Sequence, residues 1–128
     1  MGTQPGLVFD RRDQLEQIQS GLIQGEQLYA VYDAKGVGTG FIGVTDRRVI
    51  IQDRSFVGKR TALVSLPYSR ISSVAVVSDK SFAGSFFGTT SIGITSSDGR
   101  YHEVDFRGTD KARHVHDLIV WHITAARD

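Results

Sequence analysis

The chain has 128 residues, with 15 lysines and arginines against 14 aspartates and glutamates, and it contains no cysteine. This length suits one domain that buries a core of its own, and the lack of cysteine excludes disulfides, cysteine zinc sites and thiol nucleophiles. The formal net charge of +1 argues against strong non-specific attraction to nucleic acid or anionic lipid, although it leaves room for a local basic patch.

Residues 1–9 predict an N-terminal tail, and residues 10–128 predict a single domain. The start of the chain lacks the basic region and the apolar core of a signal peptide. The longest apolar runs, such as Val74–Val77 and Leu118–Trp121, are far shorter than the ~18 residues of a membrane-spanning helix. A cytoplasmic location is therefore the expectation.

An amphipathic helix is predicted after the tail. Leu15, Ile18 and Leu22 recur at helical spacing over about three turns. Asp10 or Asp13 is expected to cap the first turn, because a carboxylate accepts hydrogen bonds from the free N–H groups there.

Seven strands are predicted in the middle of the chain, where Tyr, Val and Ile become frequent. Thr45-Asp46-Arg47 predicts a tight turn between two of them, and Asp98-Gly99 predicts another because this pair tolerates positive φ. Pro67 is expected to end a strand, since it has no N–H for the ladder. The predicted strands are Gln27–Asp33, Gly36–Val44, Arg48–Asp53, Thr61–Leu66, Ile71–Ser78, Phe86–Ser96 and Arg100–Arg107.

A longer helix is predicted at the end of the chain, with Thr109 or Asp110 as its cap. Its apolar residues fall on one face at helical spacing. One helix, seven antiparallel strands and a final helix together predict a mainly β fold, a small barrel or sandwich that the final helix plugs at one open end. The predicted buried face consists of Ala112, Val115, Leu118, Ile119, His122 and Ala126, with His122 at the edge of the core.

Several segments form a pattern in a fixed order. Gly25-Glu26 precedes the first predicted strand, and Thr45-Asp46-Arg47-Arg48 follows the second. This turn resembles the Thr-Asn/Asp-x-Arg turn in the hairpin of the bacterial pleckstrin-homology-like (PH-like) domain family. Residues 67–74, Pro-Tyr-Ser-Arg-Ile-Ser-Ser-Val, are similar to its Pro-Tyr-x-x-Ile-x-x-Val segment. Gly99–Phe106, followed by a helix, is similar to its closing hairpin and C-terminal helix.

The resemblance implies a partly open, seven-stranded antiparallel barrel capped by a C-terminal helix, to which this chain adds an N-terminal helix. It implies an interaction module that binds rather than catalyses. It also implies homo-oligomers, since several domains of this type assemble into rings or other assemblies.

Motifs for enzyme chemistry give no support to an active site. Residues 38–43 match G-x-G-x-x-G, but a dinucleotide site needs this motif to open a helix. Here a strand follows, so the glycines predict a bulge or a close backbone approach. The histidines lack metal-ligand spacing, and no serine lies in a nucleophile elbow. No catalytic residue, metal or cofactor is predicted.

Aromatic residues outside the predicted core suggest contacts with a partner. Phe82, Phe86 and Phe87 lie in one glycine-rich connection, where they either fill the barrel mouth or meet a protein or a second copy. Trp121 and His114 share a helix face away from the apolar one, which suggests a second contact surface; in the alternative, Trp121 lies over the barrel rim. The expectation is self-association, as a ring or a dimer, or docking of a protein partner.

Membrane-surface or lipid-headgroup binding is the alternative function. Lys35, Arg54, Lys59 and Arg60 are the candidate contacts for an anionic ligand. Only Lys35 is basic in the first hairpin loop, whereas phosphate recognition needs several converging donors. The loop that holds the other three is better explained as a solvated hairpin loop. Nucleic acid is not an expected partner, because no basic stripe with interleaved aromatics is present.

Overall fold

The computed structural model describes residues 6–36, 38–54, 60–78, 89–108 and 110–125, and its elements confirm a mainly β fold with two helices. The elements in chain order are β1 (Val8–Phe9), α1 (Arg12–Gln19), β2 (Leu28–Asp33), β3 (Thr39–Thr45), β4 (Arg48–Asp53), β5 (Ala62–Pro67), a 3₁₀ turn (Tyr68–Arg70), β6 (Ile71–Ser78), β7 (Thr89–Ser96), β8 (Tyr101–Arg107) and α2 (Asp110–Ala125).

The strands form two sheets that do not close into a continuous barrel. Strands β1 to β5 form the first sheet in chain order, and β6 to β8 form the second. Neighbouring strands are antiparallel except β1, which runs parallel to β2. In the described ranges one backbone bridge joins the two sheets, where the Lys35 N–H donates to the Asp105 carbonyl at 2.7 Å. The arrangement confirms a partly open barrel.

The main core lies between the two sheets and the inner face of α2. Ala112, Val115 and Ile119 are fully buried, and Leu118 packs against the same core while partly buried. The predicted face of the final helix is therefore confirmed, except that Ala126 lies outside the described residues. The strand residues of this core are Ala30, Tyr32, Ile42, Val44, Val49, Ile51, Leu66, Ile71, Ile92, Ile94, Val104 and Phe106.

A second core forms where α1 packs on the outer face of the first sheet. Leu15 and Ile18 contact a cluster that includes Phe41 and Ile50. Because the sheet is covered on both faces, its central strands are apolar in succession rather than in alternation. Gly43 lies beneath Ile18, and a Cβ at this position would occupy the space of the Ile18 side chain.

The N-terminal segment differs from the sequence prediction. Val8–Phe9, expected in a tail, pair with Ala30 and Val31 of β2. Helix α1 has 8 residues and ends at Gln19, so the predicted three turns were too long. The expected cap is also wrong, because no side chain caps α1.

Both aspartates expected at the cap have other partners. The Asp10 carboxylate accepts from the Asp33 N–H and from the Lys111 ammonium group, each at 2.9 Å. Asp13 instead pairs with Arg11 at 3.0 Å, and this contact lowers the pKa of the Asp13 carboxyl.

Candidate functional site

A buried ion pair fixes the turn between β3 and β4. The Arg48 guanidinium donates to both carboxylate oxygens of Glu26 at 2.9 Å, and the Glu26 side chain is fully buried. Arg48 also donates to the Gly21 carbonyl at 3.0 Å and to the Ser65 hydroxyl at 2.9 Å. These contacts tie the α1–β2 connection, β4 and β5 together.

The same carboxylate is stabilised in its charged form. Burial alone would raise the pKa of Glu26, but hydrogen bonds from Arg48, the Thr45 hydroxyl and the Ile23 N–H outweigh it and lower the pKa to about 2. Because every partner is a donor, the group is held as a structural anion. Sequence reasoning noted Gly25-Glu26 only as part of a motif and assigned Glu26 no partner.

The Pro-Tyr segment, at the end of β5 and the start of the 3₁₀ turn, joins this network. The Tyr68 hydroxyl donates to the Thr45 carbonyl at 2.6 Å, and its ring stacks on His122 of α2 at 5.0 Å. His122 is buried and its Nδ1 is 2.8 Å from the Leu118 carbonyl. The prediction of His122 as a core-edge histidine with one hydrogen bond is confirmed.

Strand β5 has a free edge that borders a groove of about 300 Å³. The strand pairs with β4 on one side and makes no described backbone bond on the other. Side chains of successive strand residues point to opposite faces. A groove that touches all of Val64–Pro67 therefore runs along the strand edge.

The far side of this groove carries charged and polar groups from the 3₁₀ turn and the β7–β8 turn. Ser97 donates its N–H to the Arg70 carbonyl at 2.7 Å, which holds the two turns together. Arg100 pairs with Asp98 at 3.5 Å. His102 lines the groove, and its buried Nε2 has no hydrogen-bond partner among the described residues.

Sequence reasoning did not predict this groove. Arg70, Arg100 and His102 belong to different elements, and the fold brings them together without a characteristic spacing. The one signal in the sequence is the Asp-Gly turn. It is followed by Arg100, just before β8, and by His102 within β8, and this spacing of two residues places both on one side of the extended chain.

Strand β6 presents a second free edge. It pairs only with β7 in the described part of the chain, and its sequence, Ile-Ser-Ser-Val-Ala-Val-Val-Ser, contains neither charge nor proline. Ala75 and Val77 are exposed, and Val77 keeps 39% of its surface. Native edge strands are commonly protected by charges, proline or a covering element, so this edge lacks the usual side-chain protection.

The predicted partner contacts are only partly described. Trp121 is 63% exposed on α2, while Phe82, Phe86 and Phe87 lie outside the described residues. The shared contact surface of His114 and Trp121 stays a prediction. His114 is half buried, and its Nδ1 lies 2.6 Å from the Tyr32 hydroxyl.

Three candidate contacts for an anionic ligand, Lys35, Arg54 and Arg60, lie at one end of the barrel. Lys35 follows β2, and the Arg54 N–H donates to the Gly38 carbonyl at 2.8 Å, so both belong to neighbouring connections. Arg60 is exposed just before β5, and Lys59 lies outside the described residues. The concavity that contains Lys35 is also lined by Glu103 and Asp105.

Other classes of site find no support in the described ranges. No three His, Asp or Glu side chains of those residues gather as ligands for a metal ion. The G-x-G-x-x-G match lies in β3 and in the residue before it, as predicted, and no helix follows it. Among the same residues, no helix has the length and apolar character needed to cross a membrane.

Comparisons with known proteins agree with this architecture. Residues 22–119 match the family model described as "Bacterial PH domain". A crystal structure of a pleckstrin homology domain from Shewanella amazonensis SB2B superposes with a TM-score of 0.66 at 20% identity, covering 90% of this chain and 99% of that one. At this identity the likeness concerns the fold alone. No curated protein matches the chain.

Proposed function

The chain belongs to the bacterial PH domain family, and we propose that it is a non-catalytic interaction module that self-associates through the free edge of β6. The carrying observation is that the outer edge of that strand makes no backbone bond in the described part of the chain and that the strand has no charged residue. A second copy of β6, related by a two-fold axis, satisfies the exposed N–H and C=O groups of both strands.

The chemistry of the edge favours a second copy as the occupant. Antiparallel pairing of β6 with itself brings no like charges together, because the strand has none. The formal charge of +1 per chain leaves little long-range repulsion between copies. An isologous contact of this kind gives a closed dimer rather than a ring.

Two sets of predicted aromatic contacts extend this proposal. The connection that holds Phe82, Phe86 and Phe87 starts directly after β6 in the chain, so we include these three residues in the proposed contact. Trp121 is the chain's one tryptophan, and its fluorescence reports on its own surroundings. A blue shift with rising protein concentration places Trp121 in the contact, and an unchanged maximum removes it.

Light scattering at several protein concentrations tests the proposal. The native chain is expected to pass from monomer to dimer, and Ala75→Lys is expected to remain a monomer, because a charge on the exposed face of β6 opposes pairing. Ile23→Lys is the matched control, since Ile23 is 53% exposed and lies outside both sheets. A native chain that stays monomeric, or a dimer that Ala75→Lys leaves intact, contradicts the proposal.

Lipid-headgroup binding has less physical support as the alternative. The concavity beside Lys35 also presents the carboxyl groups of Glu103 and Asp105, which repel a phosphate. Sedimentation with anionic vesicles provides the check. Binding that is lost in Lys35→Ala, from a chain that is monomeric at all concentrations, would favour the lipid alternative over self-association.

A further inference from the structure

The register between β4 and β5 shows which backbone N–H and C=O groups of β5 point towards β4 and which point away from it. The Tyr68 N–H donates to the Arg47 carbonyl at 3.4 Å, and hydrogen-bonded pairs alternate along an antiparallel ladder. In the observed register, Leu66 opposite Val49 and Val64 opposite Ile51 are therefore the bonded pairs. The N–H and C=O of Ser65 point away from β4, into the side of the groove.

Pro67 fits this assignment. It occupies the same outward position as Ser65, two residues further along β5, so its missing N–H removes no bond from the ladder. The edge that borders the groove thus offers one N–H and two carbonyl groups, from Ser65 and Pro67. No described hydrogen bond uses any of the three. This spacing matches the demands of an added extended strand.

The opposite wall of the groove favours an acidic occupant. The Arg70 side chain is exposed and makes no described ion pair or hydrogen bond, whereas the Arg100 side chain forms an ion pair with Asp98. The groove thus contains two guanidinium groups and one carboxylate. His102 also lines this side of the groove.

We propose that this groove binds an extended, acidic peptide segment of a partner protein as an added strand along β5, with Arg70 and Arg100 contacting its carboxylates. No residue of β6 lines the groove, so the proposal extends the proposed self-association with a second kind of partner. An added strand supplies backbone bonds that are indifferent to sequence, and the arginines supply the preference for acidic side chains.

Fluorescence anisotropy with two labelled peptides tests the charge preference, one of alternating Glu and Val and the other of alternating Lys and Val. The Glu peptide is expected to bind in a salt-sensitive manner, and the Lys peptide is not. Arg70→Ala is expected to weaken binding by at least about tenfold, because a charge-assisted hydrogen bond is lost. Arg113→Ala, an exposed arginine on α2, is the matched control.

Two backbone changes test strand addition itself. Ser65→Pro removes the outward N–H but no ladder bond, and Ser65→Ala removes the same hydroxyl while keeping the N–H. Binding is expected to fall in Ser65→Pro relative to Ser65→Ala. A Glu peptide with N-methylated backbone amides is expected to bind more weakly than the unmodified peptide.

The measurements are made in the Ala75→Lys background, so failure of β6 self-association does not affect them. Equal affinity of Ser65→Pro and Ser65→Ala overturns the added strand. Equal binding of the methylated peptide, with full competition by inorganic phosphate, reduces the site to one for small anions and also overturns the proposal. Unchanged binding in Arg70→Ala removes the arginine from the site.

Discussion

Strands β2 and β6 each have an outer edge in the same barrel, but the described residues of the chain cover only the β2 edge. At β2, Val8–Phe9 add a short parallel strand, and the Asp10 carboxylate accepts from the Asp33 N–H. The Lys35 N–H then bridges to β8. At β6 no described backbone bond covers the outer side, and no charge discourages pairing.

This contrast separates backbone groups that the chain satisfies itself from groups that have no partner in the described part of the chain. Free N–H and C=O groups are costly only if they lose water without gaining a partner. The β2 edge receives its partners from the N-terminal segment of the same chain. An edge that lacks both charge and cover is the more favourable place for a second copy.

The largest expected loss of stability comes from breaking the ion pair between Arg48 and Glu26 in the first sheet. Arg48→Ala leaves the fully buried Glu26 carboxylate without its ion-pair partner, and breaking such a pair costs about 3–5 kcal/mol. Urea denaturation followed by circular dichroism measures the loss. Arg47→Ala, on the same turn but exposed, is the control and is expected to change the free energy of unfolding by less than about 0.5 kcal/mol. If Arg48→Ala and Arg47→Ala lower the free energy of unfolding equally, the ion pair between Arg48 and Glu26 does not stabilise the fold.

The pH dependence of stability isolates the Glu26 carboxylate. Its pKa of about 2 in the folded chain lies below its ordinary value of 4.5. The stability it contributes is therefore fully present above pH 4.5 and is lost as the pH falls from 4.5 towards 2. Denaturation midpoints of the native chain and of Glu26→Gln are expected to converge over this interval. A difference that stays constant with pH would mean that Glu26 is not held in its charged form.

A smaller effect is expected at the closed edge. Asp10→Asn retains an oxygen that can accept from the Asp33 N–H, but it loses the charge that attracts Lys111. Asp10→Ala loses both, so it is expected to cost about 1–2 kcal/mol, and Asp10→Asn less, because the ion pair is partly exposed to solvent. Thermal denaturation ranks the two variants. An unchanged midpoint in Asp10→Ala would show that the edge is closed by β1 alone.

Local patterns in the sequence were enough to predict most of the strands and the final helix. Thr45-Asp46-Arg47, Asp98-Gly99 and Pro67 are signals read within a few residues, and all three are at turns or strand ends in the structure. The buried face of α2 followed from the spacing of Val115 and Ile119, because helical periodicity is itself local.

Contacts between distant residues could not be predicted in this way. Val8–Phe9 are too few residues to show a strand period, and they pair only because β2 offers a free edge. Asp10 looked like a helix cap, since nothing in the sequence reveals that it lies beside Asp33. The pairing of Glu26 with Arg48 and the meeting of Arg70 with Arg100 likewise depend on how the strands are arranged.

Hydrogen–deuterium exchange at two protein concentrations tests the central claim, that β6 is the self-association edge. Amides in β6 are expected to exchange more slowly at high concentration, because a second copy then pairs with the strand. Each amide of β2 is expected to exchange at the same rate at both protein concentrations. Ala75→Lys is expected to abolish the concentration dependence in β6. If β6 exchanges at the same rate at both concentrations while the mass of the particle rises, the copies meet elsewhere and the claim is contradicted.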